Sequence, residues 1–347
     1  MNPDEASLFI IPYDLALDGS FRSNCALVHR CTVGYVDELM AVLAAQPYFS
    51  RHNGVDHVVL WSLGQYHPWP RNKCNDFLGK HCSLCGISCY WMDPVKVDNN
   101  FISSPFPSSY HWWDGIKELP WDVKYAPLRN LTAVYLGGTH TLNPDHTKIR
   151  RAMAQQCRNH PQCKWLQISH SSTDASLVDL IRTYRRSIFC LCPPGDDPGR
   201  KALFDIILSG CIPVVFHPSS LYNQYPFHIG EKNGRAISVS IPGRQVYATK
   251  LDFMSFLTSL SPRVIERKQQ AIAELAPRLQ YSMPPLELLA NISDETTWDP
   301  PFEDAVDVLL NGFAERARKI MQNMSSGIPE VLMSYSEWSQ RYSIMST

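Results

Sequence analysis

Two cationic residues, Arg200 and Lys201, follow a turn rich in proline and glycine, Pro193–Gly199. Such a turn leaves backbone N–H groups free, and together with adjacent positive side chains these groups favour a bound anion. A diphosphate would suit this place. The residues alone also allow a glycine-rich turn beside a basic helix start with no ligand, because the stretch matches neither G-x-G-x-x-G nor a Walker loop.

The segments that flank this turn predict the elements that would position it. Ile188–Cys192 and Ile212–Phe216 are short apolar runs that are typical of buried strands. Between them, Arg200–Ser209 has apolar residues at the spacing of one helix face, and Gly210 stands where that helix would end. Such a strand, turn, helix and strand indicate a βαβ unit. The turn would then lie at the carboxyl end of a parallel strand, where open α/β sheets bind ligands.

A second glycine pair follows another predicted strand. Leu131–Leu136 runs into Gly137 and Gly138, and residues without a side chain let the backbone approach a ligand closely. The polar, proline-containing passage Pro120–Arg129 separates this part of the chain from an earlier series of strands and helices. Helices and strands alternate on both sides of it, which favours an α/β protein with parallel sheets in two domains.

The composition excludes several classes of partner. The chain has 347 residues, 44% of them hydrophobic, and its 32 Lys and Arg balance 33 Asp and Glu to a net charge of −1. A nucleic-acid or anionic-membrane surface is therefore not expected. No run of apolar residues is long enough to span a bilayer.

Four of the eleven cysteines lie close together in the sequence, at Cys74, Cys82, Cys85 and Cys89. Such a cluster suits either one zinc ion or two disulfides.

Three motifs resemble one enzyme family. Phe189–Pro198, Leu203–Asp205 and Gly210–Val214 are similar to the signature of the exostosin-like glycosyltransferases, glycosyltransferase family 47. The continuation Val215–His228 resembles the branch that contains the plant xyloglucan galactosyltransferases. The similarity extends from about Ala6 to about Arg318.

The resemblance implies a GT-B fold, in which two Rossmann-like domains face a central cleft. We expect an acceptor-side domain over residues 1–125, a nucleotide-sugar-binding domain over 126–325 and a peripheral tail over 326–347. Family members resemble type II Golgi proteins with a lumenal catalytic part. The anchor and the first strand of the first domain would be missing here, which predicts a fragment or, alternatively, a soluble short form. An oxidising compartment would favour disulfides over zinc, and the branch implies a disulfide between Cys157 and Cys163.

The implied reaction transfers a sugar, with galactose expected, from a UDP-sugar to a polysaccharide or glycan in a single inverting displacement. No Asp-x-Asp motif is present, so neither a metal nor another cofactor is expected. The donor would contact the two glycine loops, the paired cations and nearby polar residues, which are Gly137, Gly138, Gly195, Asp196, Arg200, Lys201, Asp205, His217 and Glu231. Asp205 would either pair with one of the cations or face solvent, and Glu231 would either bind ribose or be a solvated loop residue.

The sequence leaves several candidates for the general base and for the overall role. Candidates for the base are Asp56, His57 and Asp18, although a His beside an Asp also suits a turn cap. Two other functions stay open: a catalytically silent family member that binds a glycan or a partner glycosyltransferase, and a zinc-dependent binding module built on the cysteine cluster.

Replacing both Arg200 and Lys201 by Ala should abolish sugar transfer while the protein stays folded, because the leaving diphosphate would lose its positive charges. The measurement is turnover of a UDP-sugar, with circular dichroism to check folding. Normal turnover in the double variant would reject the diphosphate site.

Overall fold

A computed structural model describes residues 2–12, 36–52, 54–61, 83–86, 101–108, 110, 119–122, 128–167, 174–196, 198–222, 224–249, 251–285 and 300–326. The contacts divide the chain into two compact units. One unit comprises Met1–Ser104 with Leu309–Thr347, and the other is Pro105–Val308. The functional roles expected for residues 1–125, 126–325 and 326–347 stay predictions.

The first unit is built on a parallel sheet. Its four strands, in the order β1-β2-β3-β4, are β1 (Phe9–Ile11), β2 (His57–Trp61), β3 (Ser83–Gly86) and β4 (Phe101–Ser103). Helices α1 (Val36–Ala45) and α2 (Pro47–Arg51) precede β2. Val58 and Val59 at the centre of β2 are fully buried, as expected where both faces of a parallel sheet are covered.

The second unit has five parallel strands in the order β6-β5-β7-β8-β9. The strands are β5 (Leu131–Leu136), β6 (Cys163–Leu166), β7 (Ser187–Cys192), β8 (Ile212–Val215) and β9 (Val239–Ser240). The helices are α3 (Pro144–Asn159), α4 (Asp174–Arg185), α5 (Lys201–Leu208), α6 (Gly230–Ile237), α7 (Gly243–Ala248), α8 (Phe253–Ser259), α9 (Pro262–Leu275) and α10 (Ala305–Ser326), of which α10 continues into the first unit. Short 3₁₀ helices cover Pro218–Ser220 and Ala276–Leu279. None of the helices in the described part is long and apolar enough to cross a membrane.

The order of the strands creates a switch point between β5 and β7. From β5 the chain passes through α3 to β6 on one side, and from β6 it returns through α4 to β7 on the other side. The loops that leave the carboxyl ends of β5 and β7 therefore diverge in opposite directions, which opens the crevice in which open α/β sheets bind ligands.

The predicted strand, turn, helix and strand around the proline- and glycine-rich turn are confirmed as β7, α5 and β8. Their apolar residues form the centre of the core, where Phe204 and Ile207 of α5 are fully buried against the sheet. Gly210 follows the end of α5, as predicted. Its φ of 66° is one that only glycine adopts without strain. The α/β class with parallel sheets is confirmed, whereas the cleft of a GT-B fold stays a prediction.

The boundaries of several elements have local causes. Pro277 cannot continue an α-helix, so α9 gives way to a 3₁₀ turn at Ala276. Glu231 was considered as a loop residue and lies in the first turn of α6. The last helix begins at Ala305 because the Asp304 carboxylate accepts the N–H groups of Val306 and Asp307.

Two disulfides join elements of the second unit. Cys157–Cys163 links the end of α3 to the start of β6, which confirms the expected pairing. Cys190–Cys211 links β7 to the residue before β8 and was not predicted. The other cluster of cysteines lies outside the described residues, apart from the backbone of Cys85 in β3.

Removing Cys190–Cys211 by Ala substitution of both residues should cost about 3 kcal/mol of unfolding free energy, because the closed loop of 21 residues loses its constraint on the unfolded chain. The matched Cys157 and Cys163 double variant should lose about 2 kcal/mol, since its loop spans 6 residues. Urea denaturation measures both. The reverse order of the two losses would contradict a loop-length effect.

Candidate functional site

The loops after β5 and β7 leave the sheet side by side at the switch point. Gly137 and Gly138 follow β5, and Pro193–Gly199 follows β7. Gly137 has a φ of 153°, and a Cβ there would lie 3.1 Å from the Tyr135 Oη, so the loop needs glycine at this position. The Tyr135 hydroxyl donates to the Gly138 carbonyl at 2.5 Å. Both glycine loops thus stand at one edge of the sheet, as the sequence predicts.

Arg150 joins the two loops and was missed by sequence reasoning. Its side chain, on α3, is only 6% exposed. The guanidinium donates from Nε to the Pro194 carbonyl at 2.7 Å and from Nη1 to the Gly138 carbonyl at 3.2 Å. Burial, with a further contribution from the charge of Arg200, lowers the pKa of Arg150 to about 10. The group stays charged at neutral pH.

Arg200 points to the same loop from the other side. It is the N-cap of α5, and its Nη1 donates to the Pro193 carbonyl at 3.2 Å. The two guanidinium groups therefore converge on consecutive carbonyls, those of Pro193 and Pro194. Within the described part of the chain, no carboxylate forms an ion pair with Arg150 or Arg200. Two charges without an acidic partner are suited to an anion.

Lys201 is directed elsewhere. Its Nζ lies 2.8 Å from Asp205 Oδ2 one turn along α5, and Asp205 Oδ1 accepts a hydrogen bond from Ser108 Oγ at 2.6 Å. Of the two alternatives for Asp205, the structure therefore shows the ion pair. The two adjacent cations therefore contact different partners. The Lys201 ammonium pairs with the Asp205 carboxylate, and the Arg200 guanidinium donates to the Pro193 carbonyl.

Two further links fix the loops to each other. The Asp196 carboxylate accepts the N–H of Leu142 at 2.7 Å, and His146 at the start of α3 lies 2.7 Å from the Gly195 carbonyl through Nδ1. Burial lowers the pKa of His146. Asp196 and Gly195, both predicted donor contacts, are thus engaged in joining the β7 loop to the residues that lead into α3.

The remaining donor candidates differ in position. The His217 ring stands 5.9 Å from that of His146, and its Nδ1 accepts the N–H of Ser219 at 3.2 Å, capping the first 3₁₀ helix. Glu231 lies on the exposed first turn of α6, where it accepts from Arg235 Nε at 2.9 Å. His217 therefore belongs to the neighbourhood of the two loops, and the role of Glu231 stays a prediction.

The candidate bases belong to the first unit. Asp56 and His57 are buried at the start of β2, with 2.8 Å between Asp56 Oδ1 and His57 Nδ1. The His57 ring stacks on Phe9 at 4.7 Å and meets the edge of Phe49 at 5.0 Å. Such enclosure is typical of a structural pair, and the role of either residue as base stays a prediction. Asp18 lies outside the described residues.

This arrangement can hold an anionic group. Backbone N–H groups at the start of α5 have no side-chain cap, and the buried guanidinium of Arg150 and the half-buried one of Arg200 both contact the loop that leads into this helix. Among the residues with described placement, no group of His, Cys, Asp and Glu could hold a metal ion. Arg150 and Arg200 supply positive charge at this edge of the sheet.

Comparison with known proteins assigns the family. A profile described as the Exostosin GT47 domain matches residues 1–251 of the 347. The chain belongs to the exostosin GT47 family. The resemblance of its motifs to this family is thereby confirmed.

Curated members of the family include several plant enzymes. Xyloglucan-specific galacturonosyltransferase 1 of Arabidopsis thaliana is 33% identical in an alignment of 334 residues that covers 92% of this chain and 46% of the relative. Xyloglucan galactosyltransferase MUR3 of the same plant is 29% identical over 249 residues, or 71% of this chain and 38% of the relative. The chain therefore spans about half of the length of these relatives, or less.

A solved structure, the pneumococcal O-GlcNAc transferase GtfA in complex with UDP and GlcNAc, aligns with 86% of this chain and 60% of its own. Its TM-score is 0.27 and its identity 12%, values too low to support a statement about fold or ligand.

Stability should fall as the pH drops from 6.5 to 4, in part through His217, because burial lowers its pKa to about 4 from the 6.5 of an unfolded chain. Between these values the unfolded chain binds the proton and the folded protein does not. His217→Asn, which keeps a capping side chain but does not titrate, should lose less stability over this window, by at most about 3 kcal/mol.

Urea denaturation at pH 7 and pH 4.5 measures the difference, and His140→Asn, at an exposed position, is the control. Identical pH dependence in wild type and His217→Asn would contradict a neutral, buried His217.

Proposed function

We propose that this chain transfers a sugar, with galactose the first candidate, from a UDP-sugar to a xyloglucan-type polysaccharide. The observation that supports it most is the convergence of Arg150 and Arg200 on the β7 loop without an acidic partner among the described residues. Membership of the exostosin GT47 family supplies the reaction class. The names of the relatives, which act on xyloglucan, supply the acceptor class.

The leaving group would lie between the two loops. As the bond to the sugar breaks, negative charge develops on the diphosphate, and donors already fixed in place stabilise that charge without reorganising. Arg150 is held by two carbonyls and Arg200 by one, so both retain N–H groups that can face a ligand. The uncapped start of α5 would add backbone N–H groups for the same oxygens.

The rest of the reaction follows from the family. A single displacement with inversion needs a base beside the acceptor hydroxyl, and Asp56, His57 and Asp18 remain our candidates for it. The acceptor would be bound by the first unit in a GT-B arrangement. No metal or other cofactor is proposed, and the UDP-sugar is the donor substrate.

We further propose that the chain acts in the Golgi lumen as part of a type II membrane protein. The two disulfides of the second unit support this proposal, because such bonds persist in oxidising compartments. The sequons at Asn130, Asn291 and Asn323 fit the same route and would make the protein a glycoprotein.

Arg150→Met should weaken UDP binding by about 10- to 100-fold, since a hydrogen bond to a charged group contributes about 1.5–3 kcal/mol. The matched control is Arg151→Met, next to it on α3 but exposed. Arg200→Met should behave like Arg150→Met, whereas Lys201→Met should change the affinity little because Asp205 already balances that charge. Titration calorimetry with UDP measures all four variants.

Two results would reject the diphosphate site. One is a loss of UDP affinity in Arg151→Met as large as that in Arg150→Met. The other is an unchanged UDP affinity in both Arg150→Met and Arg200→Met. Thermal unfolding of each variant separates a binding defect from a folding defect. Tight UDP binding without hydrolysis or transfer of any UDP-sugar would instead favour a catalytically silent family member.

A further inference from the structure

Gln224 has a buried amide that finds no partner in the part of the chain that the structure describes. It follows the first 3₁₀ helix after β8, and its side chain is 6% exposed. Neither Oε1 nor Nε2 has a hydrogen-bond partner among the described residues. A folded protein rarely leaves both ends of a buried amide unsatisfied, and such groups call for an explanation.

The amide lies against the turn that precedes α5. A Cβ built on Gly199 would stand 2.6 Å from Gln224 Nε2 and 3.1 Å from Oε1, so only a residue without a side chain allows this approach. Gly199 directly precedes Arg200, the N-cap of α5. The start of α5 thus combines uncapped N–H groups, the Arg200 guanidinium and an unpartnered amide.

We infer that Gln224 contributes to donor binding by contacting a hydroxyl group of the UDP-sugar, an inference that rests on the proposed function. A hydroxyl both donates and accepts, as the two ends of the amide do, so one group or two neighbouring groups can satisfy both atoms. A carboxylate or phosphate oxygen only accepts and would leave Oε1 facing negative charge. The hydroxyl belongs either to the ribose or to the transferred sugar, which lie on opposite sides of the diphosphate.

The packing of the fold does not explain an amide at this position. If Gln224 served only to fill space, an apolar side chain of similar volume would fill it without two unsatisfied atoms. Gln224→Leu should therefore unfold at the same temperature as the wild type or a higher one. A role in binding predicts this combination of retained stability and lost affinity.

The test compares UDP with UDP-galactose by titration calorimetry on the full chain. If the hydroxyl belongs to the transferred sugar, Gln224→Leu should bind UDP-galactose about 10-fold more weakly and bind UDP as before. If it belongs to the ribose, both ligands should weaken by the same factor. Affinities within 2-fold of the wild type for both ligands would overturn the inference. Gln155→Leu removes an exposed glutamine and is the control.

Gly199→Ala provides a second route that leaves Gln224 in place. The new Cβ would displace the amide, so the variant should reproduce the loss seen in Gln224→Leu. Combined with Gln224→Ala, which leaves room for the methyl group, Gly199→Ala should add no further loss. Fully additive losses would contradict an effect through the amide.

The two proposals can fail separately. If wild-type protein does not bind UDP, the proposed function fails first. If Arg150→Met weakens UDP binding and the Gln224 and Gly199 variants bind both ligands normally, only the role of Gln224 is overturned.

Discussion

The site depends on one buried guanidinium that holds two diverging loops together. Parallel strands on either side of a switch point send their loops apart, and Arg150 joins these loops through the carbonyls of Gly138 and Pro194. Removing the charge from water is unfavourable, and the two carbonyls compensate only in part, as the lowered pKa of about 10 indicates. In the proposed donor site a bound anion would supply the missing negative charge. The side chain that joins the two loops would then also contribute to ligand affinity.

The nearby acidic side chains have other partners, and the nearby His217 carries no charge. Asp196 accepts a backbone N–H and Asp205 accepts from Lys201, and within the described residues neither forms an ion pair with Arg150 or Arg200. His217 is kept neutral by burial, which avoids a third positive charge that would repel the other two. A site that binds a doubly charged leaving group must also release it. A small fixed positive charge favours this release, because a larger one would retain the product.

Local sequence patterns predicted the elements around the site well, because apolar spacing, Gly210 and the proline-rich turn each act over a few residues. They also placed Arg200, Gly137 and Gly138 at the carboxyl edge of the sheet, and contact of these residues with a donor stays a prediction. Arg150 was missed because it lies within a helix among charged neighbours, where a charged residue is usually solvated. Gln224 was missed because only the tertiary fold encloses it, and Cys190–Cys211 because pairing depends on strand register. A signal was present for Arg150, which lies three and four residues before Met153 and Ala154 and so shares the apolar face of α3.

The covalent bond between Cys190 and Cys211 lies directly before the β7 loop, in the strand that ends at Cys192. A recombinant host with a reducing cytosol would therefore produce a chain whose central strand lacks this bond. Activity measured on such material would depend on whether Cys190 and Cys211 are oxidised, as well as on the sequence. Secretion from a eukaryotic cell, or oxidative refolding, is accordingly the appropriate source of protein for quantitative work.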